Sequence, residues 1–427
     1  MRLRALLPAL AALVVLSSAS AGSAPTLELL ANAPKTHTTN SDLAFWGKLA
    51  FEGNYDGFRV IDISKPRAPV VLADVRCRGP QNDISVWRNL VFVSVDRPQT
   101  TPGCDSADAA VLTDPTSFEG IRIFDASDAR NPQLIASVPT DCGSHTNTLV
   151  PDTKNGRILL YVSSYALRAG PHCGQDREAN PLHGKLSIVA VPLAAPRTAS
   201  VIATPAVDAP VFGSGSREFA PTVGCHDISV FMPLHLAAAA CMSEGQIWDI
   251  SRPERPRVLA HLRNSSVQFW HSAAFSWDGK VLVFGDESLD GSCRSRAEQD
   301  GRLWFYSLAK PSKPGLLSSF LIAPRRTEYC SVHMFNVIPR KSRSVLVSGW
   351  YEGGSRVIDF TNPRKPVQLA ASIPPDANEW TAYWYDGTIY VSDINRGLDV
   401  FALRGDVAKG ARTFDHMNPA TQEIAIR

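Results

Sequence analysis

The sequence predicts an all-β protein built from repeated four-stranded antiparallel units, and three observations support this fold class. A short motif occurs seven times, with a glycine, about five alternating apolar residues and, in most copies, an aspartate and a proline. A hairpin signal such as Tyr385-Asp386-Gly387-Thr388 precedes the motif, and a short strand such as Val70 to Asp74 follows most copies. No helical periodicity competes with these signals.

Each copy of the motif therefore reads as the third strand of a unit whose hairpin comes before it and whose fourth strand comes after it. The seven copies begin at Gly57, Gly120, Gly184, Gly245, Gly301, Gly354 and Gly397. Four antiparallel strands repeated radially are typical of a propeller blade. We therefore predict a single seven-bladed β-propeller over residues 25–403, followed by a C-terminal tail over residues 404–427.

The two ends of this region predict how the ring closes. The seventh motif, Gly397 to Leu403, has no convincing fourth strand after it, while Thr26 to Leu30 precedes the first hairpin without a partner there. We expect the N-terminal segment to supply the outer strand of the seventh blade, because this pairing removes the open edge of the ring.

The first 24 residues indicate export. Arg2 and Arg4 precede an apolar run from Ala5 to Leu16, and the tripeptide Ala19-Ser20-Ala21 follows. This is the layout of a cleavable signal peptide, and the run is shorter than the ~20 residues that cross a membrane. We therefore predict a secreted chain without a membrane span, over residues 25–427 after cleavage. The net charge of +2 gives no support for a nucleic-acid partner.

Three of the motif copies also carry a family resemblance. The strings GFRVIDISKPRAP, GIRIFDASDARNP and GSRVIDFTNPRKP begin at Gly57, Gly120 and Gly354. They resemble LVIVD repeats, which occur in secreted and cell-surface β-propellers, and the arrangement is similar to that of the actinobacterial members. The resemblance implies a fold and an export route, but no established activity. The third, fifth and seventh copies depart from the pattern because they lack the aspartate.

Loops of a propeller are expected to carry its function, and the long insertions here all fall at one face. Asp96 to Gly120, Tyr165 to Gly184 and Glu287 to Gly301 connect second and third strands, which places them on the face where the inner strands begin. Eight cysteines at an even count are typical of an oxidising compartment. From their places in the blades we predict four disulfides, which are Cys77–Cys104, Cys142–Cys173, Cys225–Cys241 and Cys293–Cys330.

Histidines recur where the inner strands begin. The seven equivalent positions are Ser41, Asn82, His145, His226, His271, His333 and Trp380. Four histidines in consecutive blades point toward the channel mouth, where neutral imidazoles could bind one Zn, Cu or Fe ion. Assuming a two-residue turn at Asp278-Gly279, Asp286 lies opposite His271 and could be a further ligand. The alternative is a hydrated polar mouth without a cofactor, in which Glu287 belongs to a solvated loop.

Two functions follow from these alternatives. The first is an extracellular binding or scaffold module whose insertion-rich face binds a protein, a polysaccharide or a small ligand, and we expect it to be a monomer. The second is a metal-dependent oxidoreductase or lyase that uses the four histidines. We rank the binding module first because it needs only the fold and its loops. No nucleophile elbow, zinc-protease motif or phosphate-binding loop is present, so the sequence identifies no catalytic residue.

Overall fold

The computed structural model describes residues 24–164, 170–173, 184–207, 224–287, 301–323 and 329–426, and residues 1–23 of the predicted signal peptide lie outside these ranges. The regular structure of the described residues is β-sheet, apart from three short 3-10 turns at Thr153–Asn155, Pro196–Thr198 and Met232–Leu234. Within this part of the chain, no helix is long and apolar enough to cross a membrane.

Four antiparallel units occupy the first half of the described chain. The first unit has strands β2 (Asn40–Trp46), β3 (Leu49–Asn54), β4 (Gly57–Asp62) and β5 (Val70–Arg76). The second has β6 (Ile84–Trp87), β7 (Leu90–Gln99), β8 (Phe118–Asp125) and β9 (Gln133–Pro139). The third has β10 (Thr146–Asp152), β11 (Arg157–Ser163), β12 (Ser187–Pro192) and β13 (Ser200–Ala203). The fourth has β14 (Asp227–Phe231), β15 (Leu236–Cys241), β16 (Glu244–Asp249) and β17 (Arg257–Leu262).

Three further units complete the arrangement. The fifth has β18 (Trp270–Phe275), β19 (Val281–Asp286), β20 (Leu303–Ser307) and β21 (Gly315–Phe320). The sixth has β22 (Met334–Val337), β23 (Val345–Ser348), β24 (Ser355–Asp359) and β25 (Val367–Ser372). The seventh has β26 (Glu379–Tyr385), β27 (Thr388–Asp393), β28 (Gly397–Arg404) and the N-terminal strand β1 (Thr26–Pro34). Parallel pairing of β22 with β26 joins the sixth and seventh units into one eight-stranded sheet.

The predicted closing pair is confirmed. β1 pairs antiparallel with β28 from Thr26 opposite Arg404 to Pro34 opposite Gly397. Neighbouring units contact one another through their inner strands, and β26 contacts β2, so the series of contacts is closed. Seven clusters of buried apolar side chains each lie between two neighbouring units. The core is therefore distributed around the molecule between sheets, as in a β-propeller.

The repeated residues have repeated structural roles. The side chains of Asp62, Asp125, Asp249 and Asp359 each accept a hydrogen bond from the backbone N–H two residues later, which stabilises the turn after the third strand. A Cβ at Gly57 would come within 1.8 Å of the Val75 carbonyl oxygen, so the glycine lets the fourth strand approach. Every pairing of a third with a fourth strand contains a register shift, including the copies that lack aspartate.

The C-terminal segment crosses the far end of the channel, where the inner strands finish. β29 (His416–Met417) pairs with β2, and β30 (Thr421–Gln422) pairs with β14. The Asn418 side chain accepts from the Val86 N–H and donates to the Val86 carbonyl, and the Gln422 side chain makes the same two bonds with Phe275. The predicted C-terminal tail over residues 404–427 therefore packs against the inner strands, and no sequence pattern indicates this packing.

Candidate functional site at the channel mouth

The four histidines predicted at the inner-strand starts form a continuous row of buried rings. Ring centroids are 4.2 Å apart for His145 and His226, 4.0 Å for His226 and His271, and 4.3 Å for His271 and His333. The Nε2 atoms of His145 and His226 are 2.7 Å apart, and His333 Nδ1 lies 2.7 Å from the Trp380 carbonyl oxygen. The structure therefore brings together all four predicted histidines.

Carboxylates lie on both sides of this row. Asp227 Oδ2 is 3.0 Å from His226 Nδ1 and 3.7 Å from His271 Nδ1. Glu287 Oε2 is 3.4 Å from His271 Nε2, and Glu287 Oε1 is 3.9 Å from His333 Nε2. Neither ring nitrogen of the buried His271 makes a hydrogen bond within the described residues. His271 is thus held between two carboxylates with both of its polar atoms unsatisfied, which is costly in a buried site.

Burial affects the charge state of three of these rings. It lowers the pKa of His226 and His271 well below the usual value and that of His333 to about 3. These rings are therefore neutral at physiological pH, and a neutral imidazole is the form that binds a metal ion. Burial also raises the pKa of Glu287 to about 7, while a 2.5 Å hydrogen bond from the Tyr351 hydroxyl opposes that rise. A cation beside Glu287 would favour its ionised form.

The residues present fit a transition metal. One ligand atom each from His226, His271 and Glu287 lie within 4.8 Å of one another. Two imidazoles and a carboxylate are a known zinc ligand set, and they leave a fourth position for water or a ligand. Asp227 contacts His226, and Tyr351 donates a hydrogen bond to Glu287. Such contacts are typical of the residues that orient metal ligands. His145 and His333 flank the group on either side.

The predicted pairing of His271 with Asp286 is wrong. Trp270 lies opposite Asp286 and Ser272 lies opposite Gly285, because a bulge leaves His271 without a partner across the strand. The Asp286 carboxylate instead accepts hydrogen bonds from the backbone N–H groups of Gln268 and Phe269. Successive residues of a strand point to opposite faces, so the next residue, Glu287, lies beside His271 and His333 in place of Asp286.

Three further carboxyls at the mouth were missed by the sequence reasoning. Asp42, Asp83 and Asp227 each follow an aligned inner-strand start by one residue, so an alignment of that second column would have found them. Asp42 and Asp83 line one cavity at the mouth. The Tyr383 hydroxyl donates to Asp42 Oδ1 over 2.7 Å, and the Asn147 N–H donates to Asp83 Oδ2 over 2.7 Å.

These carboxyls are too buried to ionise freely. Burial raises the pKa of Asp42 to about 7 and that of Asp227 to about 6, and it raises the pKa of Asp83 well above the usual value. A cavity of about 10 Å³ lies among these carboxyls and three of the histidines. The residues that line this cavity are Ser41, Asp42, Gln81, Asp83, Thr146, His226, Asp227, His271, His333, Met334 and Trp380.

The disulfides constrain the same face. The predicted bonds Cys77–Cys104 and Cys225–Cys241 are present. Cys330 is also disulfide-bonded, and its predicted partner Cys293 lies outside the described residues.

The predicted Cys142–Cys173 bond is not formed. Cys142 occupies a left-handed turn with a φ of 58°, and Cys173 is buried in the third unit's insertion. A disulfide needs Cα atoms within about 7 Å and Cβ vectors that face each other. A position on the same rim was therefore not enough to predict this pair.

Comparisons with known proteins support the fold and go no further. No family model matches the chain, and no curated protein sequence matches it. The computationally designed Ika8 protein is similar over 88% of this chain and 99% of its own, with 12% identity and a TM-score of 0.52. The Dos1 propeller is similar over 92% of this chain and 81% of its own (10% identity, TM-score 0.48). BamB from Moraxella catarrhalis is similar over 88% of this chain and 97% of its own (10% identity, TM-score 0.47).

Proposed function

We propose that this chain is an exported seven-bladed β-propeller that binds a divalent transition-metal ion at its channel mouth and presents this centre on its insertion-rich face. His226, His271 and Glu287 would hold the ion, and His145 and His333 would flank it. The observation that carries the proposal concerns His271, whose buried imidazole lies between two carboxylates. Neither nitrogen of this ring makes a hydrogen bond within the described residues. A metal ion would satisfy it where no donor or acceptor among the described residues does.

Export is part of the proposal and rests on two supports. The signal-peptide pattern over residues 1–24 predicts secretion. The disulfides Cys77–Cys104 and Cys225–Cys241 fit an oxidising compartment. The LVIVD-like strings agree with this route, and we retain that resemblance as a prediction about the family.

Element analysis of the protein, purified without a histidine tag, tests the metal. We expect close to one equivalent of Zn, Cu or Fe, and titration calorimetry of the metal-free protein with ZnCl₂ should show one site. The double variant H226A/H271A should lose this binding at least a hundredfold with an unchanged circular dichroism spectrum. His37, whose ring contacts Asp56 on the surface, provides the matched control H37A, which should bind normally. Equal zinc affinity in H226A/H271A and the native protein would overturn the assignment.

A measurement of turnover distinguishes the binding-module hypothesis from the enzyme hypothesis. If the bound metal serves only to organise the face, ligand binding should occur without conversion. The oxidoreductase or lyase hypothesis requires product formation that disappears together with the metal in H226A/H271A. We favour binding because it requires only the fold, its loops and the cavity at the mouth, whereas turnover requires further reactive groups.

A further inference from the structure

We propose that the acidic side of the channel mouth is a binding site for the ammonium group of a primary amine. Asp42, Asp83 and Asp227 line one cavity, and no lysine or arginine lines it among the described residues. The inference names the ligand class of the proposed binding face. It rests on that proposed role and on the cavity, and it does not require the metal.

Unsatisfied polarity points to a ligand independently of the acidic cluster. Ser41 is 1% exposed, its hydroxyl oxygen has no hydrogen-bond partner within the described residues, and it lines this cavity. Thr146 donates its hydroxyl proton to the His226 carbonyl, so its oxygen can still accept. The cavity wall is therefore rich in acceptors, which is what a group with three N–H donors needs.

Distances favour an ammonium group over a second metal ion. Among the described residues, only His226, His271 and Glu287 bring three ligand atoms close enough for a metal. Metal–oxygen bonds are about 2.0 to 2.6 Å long, whereas hydrogen bonds from ammonium to oxygen are about 2.7 to 2.9 Å. An ammonium group can therefore reach carboxylates that are too far apart to share a metal ion.

Size and surroundings restrict the ligand further. The cavity of about 10 Å³ accepts a group about as large as one water, which an –NH₃⁺ group matches and a quaternary ammonium exceeds. Trp380 lines the cavity and is only half-buried, and the Tyr55 ring stands edge-on to it at 6.2 Å. The organic part of the amine would leave the cavity past these rings, which provide apolar and cation–π contacts.

Calorimetry with three matched probes tests the inference on the native protein. At pH 8, benzylamine, which carries an ammonium group, should bind at least tenfold more tightly than benzyl alcohol. Benzyltrimethylammonium carries the same charge but cannot enter the cavity or donate, so it should not bind measurably. Equal affinity for benzylamine and benzyl alcohol, or no binding of benzylamine, would overturn the proposal. Equal affinity for benzyltrimethylammonium and benzylamine would show that the cavity does not select the ligand. The proposal would then be overturned in favour of binding to a charged surface.

Variants locate the site. D42N and D83N, each nearly isosteric, should each weaken benzylamine binding at least tenfold and leave zinc binding in place. The control D105N removes an exposed carboxyl from an insertion on the same face and should have no effect. If zinc does not bind while benzylamine does, the metal proposal fails and this inference stands. If D42N and D83N both bind benzylamine like the native protein, the inference fails whatever the metal does.

Discussion

The two ends of the channel are formed by the same inner strands, but they differ in how completely their buried polar groups are hydrogen-bonded. At the far end, the side chains of Asn418 and Gln422 each satisfy a backbone N–H and a backbone carbonyl of an inner strand. At the mouth, buried histidines and carboxyls lie against one another, and His271 and Ser41 have unsatisfied polar atoms within the described residues. Buried polar groups are normally paired, so these unpaired atoms at the mouth lower the stability of the fold.

The difference indicates a division of roles. The far end closes the channel with hydrogen bonds and a stacked contact between His416 and Trp46, whose ring centroids are 4.3 Å apart. The mouth keeps a cavity among neutral imidazoles and raised-pKa carboxyls, which is an arrangement more typical of binding and chemistry than of structural support. The following predictions test whether the two ends can be altered independently.

The largest effect should come from removing the far-end closure. Deleting residues 413–427 exposes the ends of β2, β6, β10, β14 and β18 and removes at least five side-chain hydrogen bonds. At about 1 kcal/mol each, with the buried apolar contacts added, the melting temperature should fall by roughly 10 °C. Differential scanning calorimetry measures the shift.

The same truncated protein provides the contrast with the mouth. If the ends are independent, its affinity for zinc at a temperature well below its melting point should stay within about threefold of the native value. A loss of zinc binding with a native circular dichroism spectrum would show that the C-terminal segment also positions the histidines, and the separation of roles would be wrong.

A smaller effect should appear at the mouth as a dependence of stability on pH. The pKa of Asp42 rises from 3.8 to about 7 on folding because the carboxyl is buried. The native state therefore binds more protons than the unfolded state between about pH 4 and 7, and Asp42 lowers stability as pH rises through that window. Asp83 and Asp227 face Asp42 and act in the same direction, whereas the lowered pKa values of His226, His271 and His333 act in the opposite one.

A comparison of D42N with the native protein isolates the contribution of Asp42 to this pH dependence. Asp42→Asn removes the charge and keeps an acceptor for the Tyr383 hydroxyl, so the free energy of unfolding of D42N relative to the native protein should increase between pH 4 and 7. Urea titrations of metal-free protein at several pH values measure it, with D105N as the control. A difference that stays constant over this range would show that Asp42 is not buried as described.

The sequence predicted the repeated parts of the molecule better than its exceptions. Glycines, turn signals and alternating strands recur in every unit, so the strand order and the β1–β28 pairing followed from them. The bulge at His271 shifts the register by one residue, and no residue type in the strand signals it. The C-terminal segment has two-residue strands that pair with distant inner strands, and hydrophobic periodicity cannot reveal such contacts. The carboxyls at the mouth could have been predicted from the alignment of the inner strands, since each directly follows one of the aligned strand-start positions.

The smallest predicted effect concerns a single side chain at the far end. Asn418 bonds both the N–H and the carbonyl of Val86 and is 4% exposed, so Asn418→Ala leaves two buried backbone groups unsatisfied. The cost should be about 2 to 4 kcal/mol, which in a chain of this size lowers the melting temperature by only a few degrees. Asn395→Ala is the control, because its side chain bonds one exposed carbonyl, that of Asp376. A shift in N418A no larger than that in N395A would mean that water replaces the side chain at Val86, and the far end would then be less tightly closed than its hydrogen bonds indicate.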